Sequence, residues 1–394
     1  MKIVYIHQYF NKDKSSTRSY EIAKHLVAKG HQVTMITGND VASCDGIHII
    51  STKTPYNQEY GYIRRMFSFL LFMLKSFIYA IREKNVDLIY ATSTPLTVGL
   101  VGKWVSQCRK ITLIFEVRDL WPDVPIKLGI IKNKLLVKLL YCLEASIYEQ
   151  ASKIIALSDG MKQDLIEKDI AAEKIDVITN FADINGFKTV SKEEQTSILT
   201  KYPILQNKFI CLYAGTLGYV NHVEYVLKLA KLTKNTEIIY AIVGKGKEKE
   251  QLVQAAREQE LHNVIFVDEV SKRIAMSWMK LSDIGMCFVR DAEVLNRNSQ
   301  NKLFDFWAAG KPTLINYKGW QDKVMRDASA GQGFYYDEAE RMARHIEALS
   351  FNQEIYTKLQ KNVEKLATIY KKDKQIEQLT TILEKTIKMG AKSI

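Results

Sequence analysis

The chain has 394 residues, 47% of them hydrophobic, and a formal net charge of +12. That is ordinary for a globular protein and too long for one compact core, so two domains are expected. The five cysteines are scattered, with no Cys-x-x-Cys and no Cys/His cluster, which excludes a disulfide framework and a structural zinc site. The basic balance favours anionic partners, whether nucleic acid, lipid headgroups or phosphorylated small molecules, without choosing among them.

Strand-like apolar runs alternate with helix-period segments. Residues 3–6 read as the first strand; residues 20–29 then place Ile22, Ala23, Leu26 and Val27 on one face, with Gly30 as the stop. Strands follow at 33–36, 88–91, 113–117 and 154–157. The pattern restarts at Phe209–Ala214 and continues at Ile238–Val243, Val264–Val267, 284–289 and Thr313–Ile315, with helical stretches such as 223–232 and 248–258 between them. Strand-helix alternation argues for parallel sheets covered on both faces. The expected architecture is α/β, with two Rossmann-like domains facing a central cleft. They span residues 1–190 and 191–370, and a C-terminal helix at 371–394 packs back on the first domain. Ligands are expected beyond the carboxyl ends of the strands. No signal-peptide pattern precedes the first strand, so a cytoplasmic location is expected.

Residues 66–81 are rich in Phe, Leu and Ile, carry Lys75 at their centre and are flanked by Arg64, Arg65, Arg82 and Lys84. Sixteen residues with a central charge are too few to span a bilayer. Two readings remain: an interfacial helix touching anionic lipid through Arg64, Arg65, Phe69, Phe72 and Lys75, or an internal helix with solvated basic ends. Between residues 61 and 140 thirteen basic side chains face five acidic ones, so much of the excess charge sits in this half.

The segment at 298–312, NSQNKLFDFWAAGKP, turns from a polar loop into a helix. A helix N-terminus near Ser299 and Asn301 offers backbone N–H groups and partial positive charge, suited to a diphosphate. Lys302 adds a full charge there, and Asp305, one turn after Asn301, suits sugar hydroxyls. Gly310 ends the helix. The competing reading is an ordinary amphipathic helix with Leu303, Phe304, Phe306 and Trp307 in the core. Glu116, Arg118, Asp119 and Asp123 gather around Trp121 where a strand ends; either they serve a reaction or Arg118 and Asp119 form a structural ion pair. Trp121 suits stacking on a sugar or a place in the core. Lys245, in Gly244-Lys245-Gly246, lies near a nucleotide or in a plain turn. The histidines make no ligand pair and no Asp-x-Asp occurs, so no metal and no cofactor are expected.

The segment at 299–312 resembles the donor-site motif of the retaining glycosyltransferases of family 4, a family of GT-B architecture. The opening Tyr5-Ile6-His7-Gln8-Tyr9-Phe10, then Thr17-Arg18, then Lys29-Gly30-His31-Gln32-Val33-Thr34, is similar to the family's first strand, loop and helix. Phe115-Glu116-Val117-Arg118-Asp119-Leu120-Trp121-Pro122 resembles a signature of the branch that includes the L-N-acetylfucosamine transferases of O-antigen and capsule assembly. Tyr213-Ala214-Gly215-Thr216-Leu217-Gly218-Tyr219 is similar to the first strand and turn of the family's second domain, and Thr179-Asn180-Phe181-Ala182-Asp183 to its hinge.

The resemblance implies a retaining transfer from a UDP-sugar to a polyprenyl-diphosphate-linked or saccharide acceptor at the inner face of a bacterial membrane. It implies a donor site of Gly215, Thr216, Lys245, Arg297, Ser299, Asn301, Lys302 and Asp305. It places Arg18 and Trp121 by the acceptor and assigns catalysis to Asp119, with Arg118 by the reacting sugar and Glu116 in reserve. Two positions depart from the broad family. Of its two glutamates eight residues apart, the first is Arg297 here and the second Asp305. Its Arg and Lys after the Tyr-Ala-Gly strand are replaced by Thr216 and Asn221-His222, so phosphate charge falls to Lys302, backbone amides and Arg297. The rival readings are a UDP-N-acetylhexosamine epimerase, which needs no acceptor, and a catalytically silent membrane scaffold. Nucleic acid is not an expected partner, since no recognised binding module is present.

Overall fold

The computed structural model describes residues 1–10, 12, 18–54, 60–93 and 95–390, without the side chains of residues 62, 63 and 390. Thr17 lies outside the described residues. The chain divides into two compact units. Unit 1 comprises Met1–Thr179, Arg297–Ser299 and Asp373–Ile394; unit 2 comprises Asn180–Asn296 and Gln300–Lys372. The division falls after Thr179, Asn180, Phe181 and Ala182 belonging with unit 2. There Ala182 donates to the Tyr370 carbonyl at 2.8 Å.

Among the described residues unit 1 carries β1 (Lys2–Ile6), β2 (Gln32–Thr37), β3 (His48–Ser51), β4 (Leu88–Thr92), β5 (Thr112–Val117), β6 (Lys153–Ala156) and β7 (Ile175–Val177). They form one parallel sheet in the order β3-β2-β1-β4-β5-β6-β7. The register sets Tyr5 between Met35 and Tyr90, and the Tyr5 and Tyr90 rings meet edge to face at 4.7 Å. Residues 2–6 and 88–92 are almost wholly buried, as strands covered on both faces must be. Helices Tyr62–Arg82, Thr97–Arg109 and Lys134–Gln150 pack in series, the middle one against β4 and β5. The C-terminal helix Lys372–Gly390 meets unit 1 through polar pairs, Glu377 with His25 and Lys29 and Glu384 with His31.

Unit 2 carries β8 (Phe209–Ala214), β9 (Ile238–Val243), β10 (Val264–Val267), β11 (Ile284–Cys287), β12 (Thr313–Ile315) and β13 (Gly331–Gly333), again all parallel, in the order β10-β9-β8-β11-β12-β13. Both sheets reverse direction of growth once, between β1 and β4 in unit 1 and between β8 and β11 in unit 2. Such a reversal opens a crevice at the carboxyl ends of the two central strands.

The helix Asn301–Ala308 is pinned beside the second crevice. Leu303, Phe304, Phe306 and Trp307 are buried, and Phe304 and Trp307 pack on Tyr370 with both centroid distances 5.5 Å. Gly310 closes it at φ +73°: its N–H reaches the Trp307 carbonyl at 3.0 Å and the Lys311 N–H reaches Phe306 at 2.9 Å, the paired bonds of a left-handed cap. The helix reaches the sheet at Gly285 of β11, where a Cβ would lie 2.3 Å from the Phe306 ring. Backbone and ring leave nothing flexible to yield. Gly285→Ala is therefore expected to destabilise unit 2 by about 1–3 kcal/mol through overpacking, read as a lower urea midpoint at unchanged slope; an unchanged midpoint would show that the helix is not clamped there.

Candidate functional site

In unit 2 the chain leaves β8 through Gly215 and Thr216. A Cβ on Gly244, at φ +152°, would lie 1.9 Å from the Gly215 carbonyl oxygen, so the turns after β8 and β9 touch backbone to backbone. Leu217 N–H donates to the Lys245 carbonyl at 2.8 Å, and the Tyr213 hydroxyl to the Thr216 carbonyl at 2.8 Å. Across this turn lies Lys302. Its Nζ donates to Tyr213 Oη at 3.0 Å and Asn221 Oδ1 at 3.4 Å, sits 4.2 Å from the Tyr213 ring centre, and hangs 3.8 Å from where a Gly215 Cβ would be. Every one of these partners is neutral. Burial pushes the Lys302 pKa down to about 8, against a small opposing pull from Cys287. One turn on, burial pushes Asp305 up to about 7, with Lys272 opposing and Asp183 assisting.

A second cation serves the same turn. Arg290, directly after β11 and Phe288-Val289, donates from Nε to the Tyr219 carbonyl at 3.0 Å and from its backbone to Val220 at 2.9 Å. Its guanidinium lies 3.7 Å above the Tyr219 ring. The sequence reading passed over Arg290, although an arginine just beyond a central strand was the available signal. Thr216 and Asn301 are exposed and Ser299 is half-buried. Lys245 pairs on the surface with Glu269 at 2.7 Å. Arg297 is placed elsewhere: it belongs to unit 1, where it pairs with Asp164 at 3.2 Å and Glu167 at 2.7 Å, and its carbonyl accepts from Ser158 Oγ at 2.6 Å. Its charge is thus answered by two carboxylates, whereas that of Lys302 is not.

In unit 1 the crevice between β1 and β4 is lined by polar groups. Arg18 and Glu116 form a buried ion pair at 2.8 Å, with Arg18 also donating to the carbonyls of Thr179 at 2.6 Å and Ile178 at 3.0 Å, and Thr92 donating to Glu116 at 3.1 Å. This pair ties the loop after β7 to the sheet. Glu116 and Arg18 are therefore placed as mutual partners beneath the surface. Arg118 and Trp121 are half-buried and Asp119 is exposed. The Arg118 backbone N–H donates to Ser93 Oγ at 2.8 Å, and its side-chain Nη1 lies 3.3 Å from His7 Nε2. His7, Ser19 and Ser93 escaped the sequence reading; their signal is a polar residue immediately after each strand flanking the reversal, or in the first turn of the helix between. Asp123, grouped with these residues by sequence, is instead buried beside Lys168 together with Glu144 and Asp164. Burial opposes the Lys168 charge, but Glu144 and Asp123 hold its pKa above the ordinary lysine value.

The helix Tyr62–Arg82 corrects the expected lipid contacts. Phe72 is fully buried, on one face with Ser76 and Ala80, so it belongs to the core of unit 1. Phe69 is half-buried. Lys75 turns back to donate to the Thr52 carbonyl at 2.9 Å and Arg65 to Tyr60 at 3.2 Å, while Arg64 stacks 4.1 Å from the Tyr60 ring centre. The opposite face carries Met66, Phe67, Leu70, Leu71 and Leu74, all exposed, Phe67 to 69%. Among the described residues no helix is long and apolar enough to cross a membrane.

Arg18→Met would strand the Glu116 carboxylate in a dry site. Breaking a buried pair from one side costs ~3–5 kcal/mol, so this variant is expected to unfold at markedly lower denaturant than the parent. Loss below 1 kcal/mol (far under that range) would mean that the pair is not what fixes the loop after β7.

Residues 15–180 match the family model described as Glycosyl transferase 4-like domain, and residues 194–366 that described as Glycosyl transferases group 1. The chain is 22% identical over 323 residues, 77% of its length and 79% of the relative's, to WcaI of Escherichia coli (strain K12), a glycosyl transferase assigned to colanic acid biosynthesis. It is 19% identical over 234 residues to WbjE of Pseudomonas aeruginosa, assigned as a glycosyltransferase, covering 59% of this chain and 58% of that one. Among solved structures it resembles Anabaena HepE, crystallised with UDP-glucose, with a TM-score of 0.78 at 16% identity, 98% of this chain and 100% of that one being covered. With two matches that together span most of its length and two parallel-sheet Rossmann-like units, the chain belongs to the glycosyltransferases of family 4, of GT-B architecture.

Proposed function

We propose that the chain is a retaining glycosyltransferase of bacterial surface polysaccharide synthesis. It moves a sugar, an N-acetylated amino sugar or a deoxy sugar, from a UDP-sugar to a lipid-linked or saccharide acceptor. The observation that carries this reading is the ammonium of Lys302, half-buried among neutral hydrogen-bond partners at the strand reversal of unit 2. A half-buried cation whose hydrogen-bond partners are neutral is well matched by an anion supplied from outside, and the pyrophosphate of a sugar nucleotide is such an anion. The crystallisation of HepE with UDP-glucose supports the nucleotide.

In this reading the bond from the sugar to the diphosphate breaks, and negative charge grows on the departing UDP. Lys302 stabilises that charge where it develops, with the N-terminal amides of Asn301–Ala308 and with Arg290 alongside. Asp305 holds nucleotide hydroxyls. Asp119 orients or deprotonates the acceptor hydroxyl that forms the new bond. Protein cations fill the role of a metal in this scheme. The exposed apolar face of the Tyr62–Arg82 helix, with Arg64 in its first turn, is read as the contact with an anionic bilayer from which a polyprenyl-linked acceptor is drawn. Apolar side chains enter the interface while bases meet lipid phosphate.

Lys302→Ala is expected to lower turnover by roughly tenfold or more with an unchanged fold. A thermal-shift panel of UDP-glucose, UDP-galactose, UDP-N-acetylglucosamine and UDP-N-acetylgalactosamine, followed by transfer assays with the hits, tests the reading; wild-type turnover in the variant removes Lys302 from the chemistry.

The two titrations define a pH window. Asp305 is ionised above about 7 and Lys302 is protonated below about 8. Donor kcat/KM should therefore rise as pH passes 7 and fall as it passes 8. Lys302→Arg keeps its proton at far higher pH and should abolish the alkaline fall; its persistence in that variant would assign the fall to another group.

For the membrane, Phe67→Glu with Leu74→Glu should cut binding to vesicles containing phosphatidylglycerol by roughly tenfold or more without changing donor affinity. Equal binding of the parent and this variant, or of anionic and neutral vesicles, would end the lipid reading.

A further inference from the structure

The crevice of unit 1 holds a three-residue group of which only Arg118 has been given a role, by the reacting sugar. His7 follows β1, Ser19 lies in the first turn of helix Arg18–Ala28, and Arg118 follows β5. His7 and Ser19 are buried. The hydroxyl of Ser19 lies 2.8 Å from His7 Nδ1, and Nη1 of Arg118 lies 3.3 Å from His7 Nε2 and 3.4 Å from Ser19 Oγ.

Hydrogen-bond chemistry fixes the state of the ring. A guanidinium only donates, so Nε2 must offer it a lone pair; Nδ1 then carries the ring proton and donates to Ser19 Oγ. The serine oxygen accepts from ring and guanidinium together, closing a triangle. Protonating the ring would replace the acceptor at Nε2 with a donor and set two cations against each other. Burial first, and Arg118 second, hold the His7 pKa well below its usual value. The other titratable and charged groups around it are Tyr5 and Tyr90, both kept neutral by burial, and the Arg18–Glu116 pair, whose charges answer one another.

We propose that His7, as the neutral Nδ1–H tautomer bridged to Ser19, is a positioning residue that holds the Arg118 guanidinium in place for glycosyl transfer. The proposal rests on the reading of Arg118 as a group by the reacting sugar. The backbone N–H of Arg118 is held by Ser93 Oγ, and the triangle acts on the long side chain. A misplacement of about 1 Å at such a group costs up to roughly a hundredfold in rate.

The test uses the full chain labelled with 15N-histidine, the His7 signals being those absent from His7→Gln. Expected are Nδ1–H shifts for the wild-type ring, persisting to well below pH 6.5, and in Arg118→Met a mixed tautomer with a higher pKa. An Nε2–H ring in the wild type, or the same titration in Arg118→Met, overturns the triangle. Rates are read as UDP release from whichever of UDP-glucose and UDP-N-acetylglucosamine the wild type turns over. His7→Phe, which removes both ring nitrogens, should lose roughly tenfold or more in kcat at unchanged donor KM, and His7→Gln, which restores an acceptor, should recover most of it. Full activity of His7→Phe overturns the positioning role. Full activity of Arg118→Met while the tautomer stands as expected identifies the reading of Arg118 itself as the failure.

Discussion

A half-buried lysine ammonium held against a phenol, a carboxamide and a glycine turn, all uncharged, gains little from that arrangement by itself. Lys302 persists there because its helix cannot move: Phe304, Phe306 and Trp307 lock the helix onto Tyr370 and onto β11, at a glycine with no room for a methyl group. The apolar packing of one helix face thus supports the electrostatic tension on the other. The same partial burial that lowers the Lys302 pKa raises that of Asp305, so one environment shifts both groups toward neutral pH with opposite responses.

The remaining charge clusters differ in kind. Arg18 meets Glu116, Lys168 meets three carboxylates, and Arg297 meets Asp164 and Glu167. Each is closed, and a closed buried pair serves to fix a loop or a helix rather than to receive a ligand. Whether a buried charge is answered within the protein therefore separates the framework of this enzyme from its chemistry better than residue type does. Arg297 illustrates the point: just ahead of the helix Asn301–Ala308 in sequence it resembles a phosphate ligand, and in unit 1 it pairs with Asp164 and Glu167.

Much of the architecture was legible because parallel strands covered on both faces are continuous apolar runs. Ile238–Val243 and Phe209–Ala214 agree with the sequence reading end to end. The strands missed were β3, β7 and β13, all at sheet edges, and the last consists of Gly331, Gln332 and Gly333, which carry no apolar signal at all. The helix Tyr62–Arg82 shows another limit. Its apolar residues occupy nearly the whole circumference, so periodicity could not say which side faces the sheet. The buried stripe of Phe72, Ser76 and Ala80 is marked by its small members, which let the helix approach its neighbours. Lys302 and Asp305 were legible because they share one helix turn; the partners of Arg18 and Arg297 were not, since each lies about a hundred residues or more away in sequence.

The two strand reversals also handle cations differently. In unit 2 the positive charges of Lys302 and Arg290 rest on uncharged aromatic and carbonyl groups, which attract a cation weakly and leave its field available. In unit 1 Arg118 is instead bracketed by a neutral imidazole and a hydroxyl. The second surrounding is conditional on the ring staying neutral. A carboxylate in place of His7 would bind the guanidinium more tightly and counter its charge; an apolar residue would remove the acceptor at Nε2. A neutral histidine is the side chain that combines an acceptor for the arginine with a donor for Ser19, and so fixes direction without neutralising the group it directs.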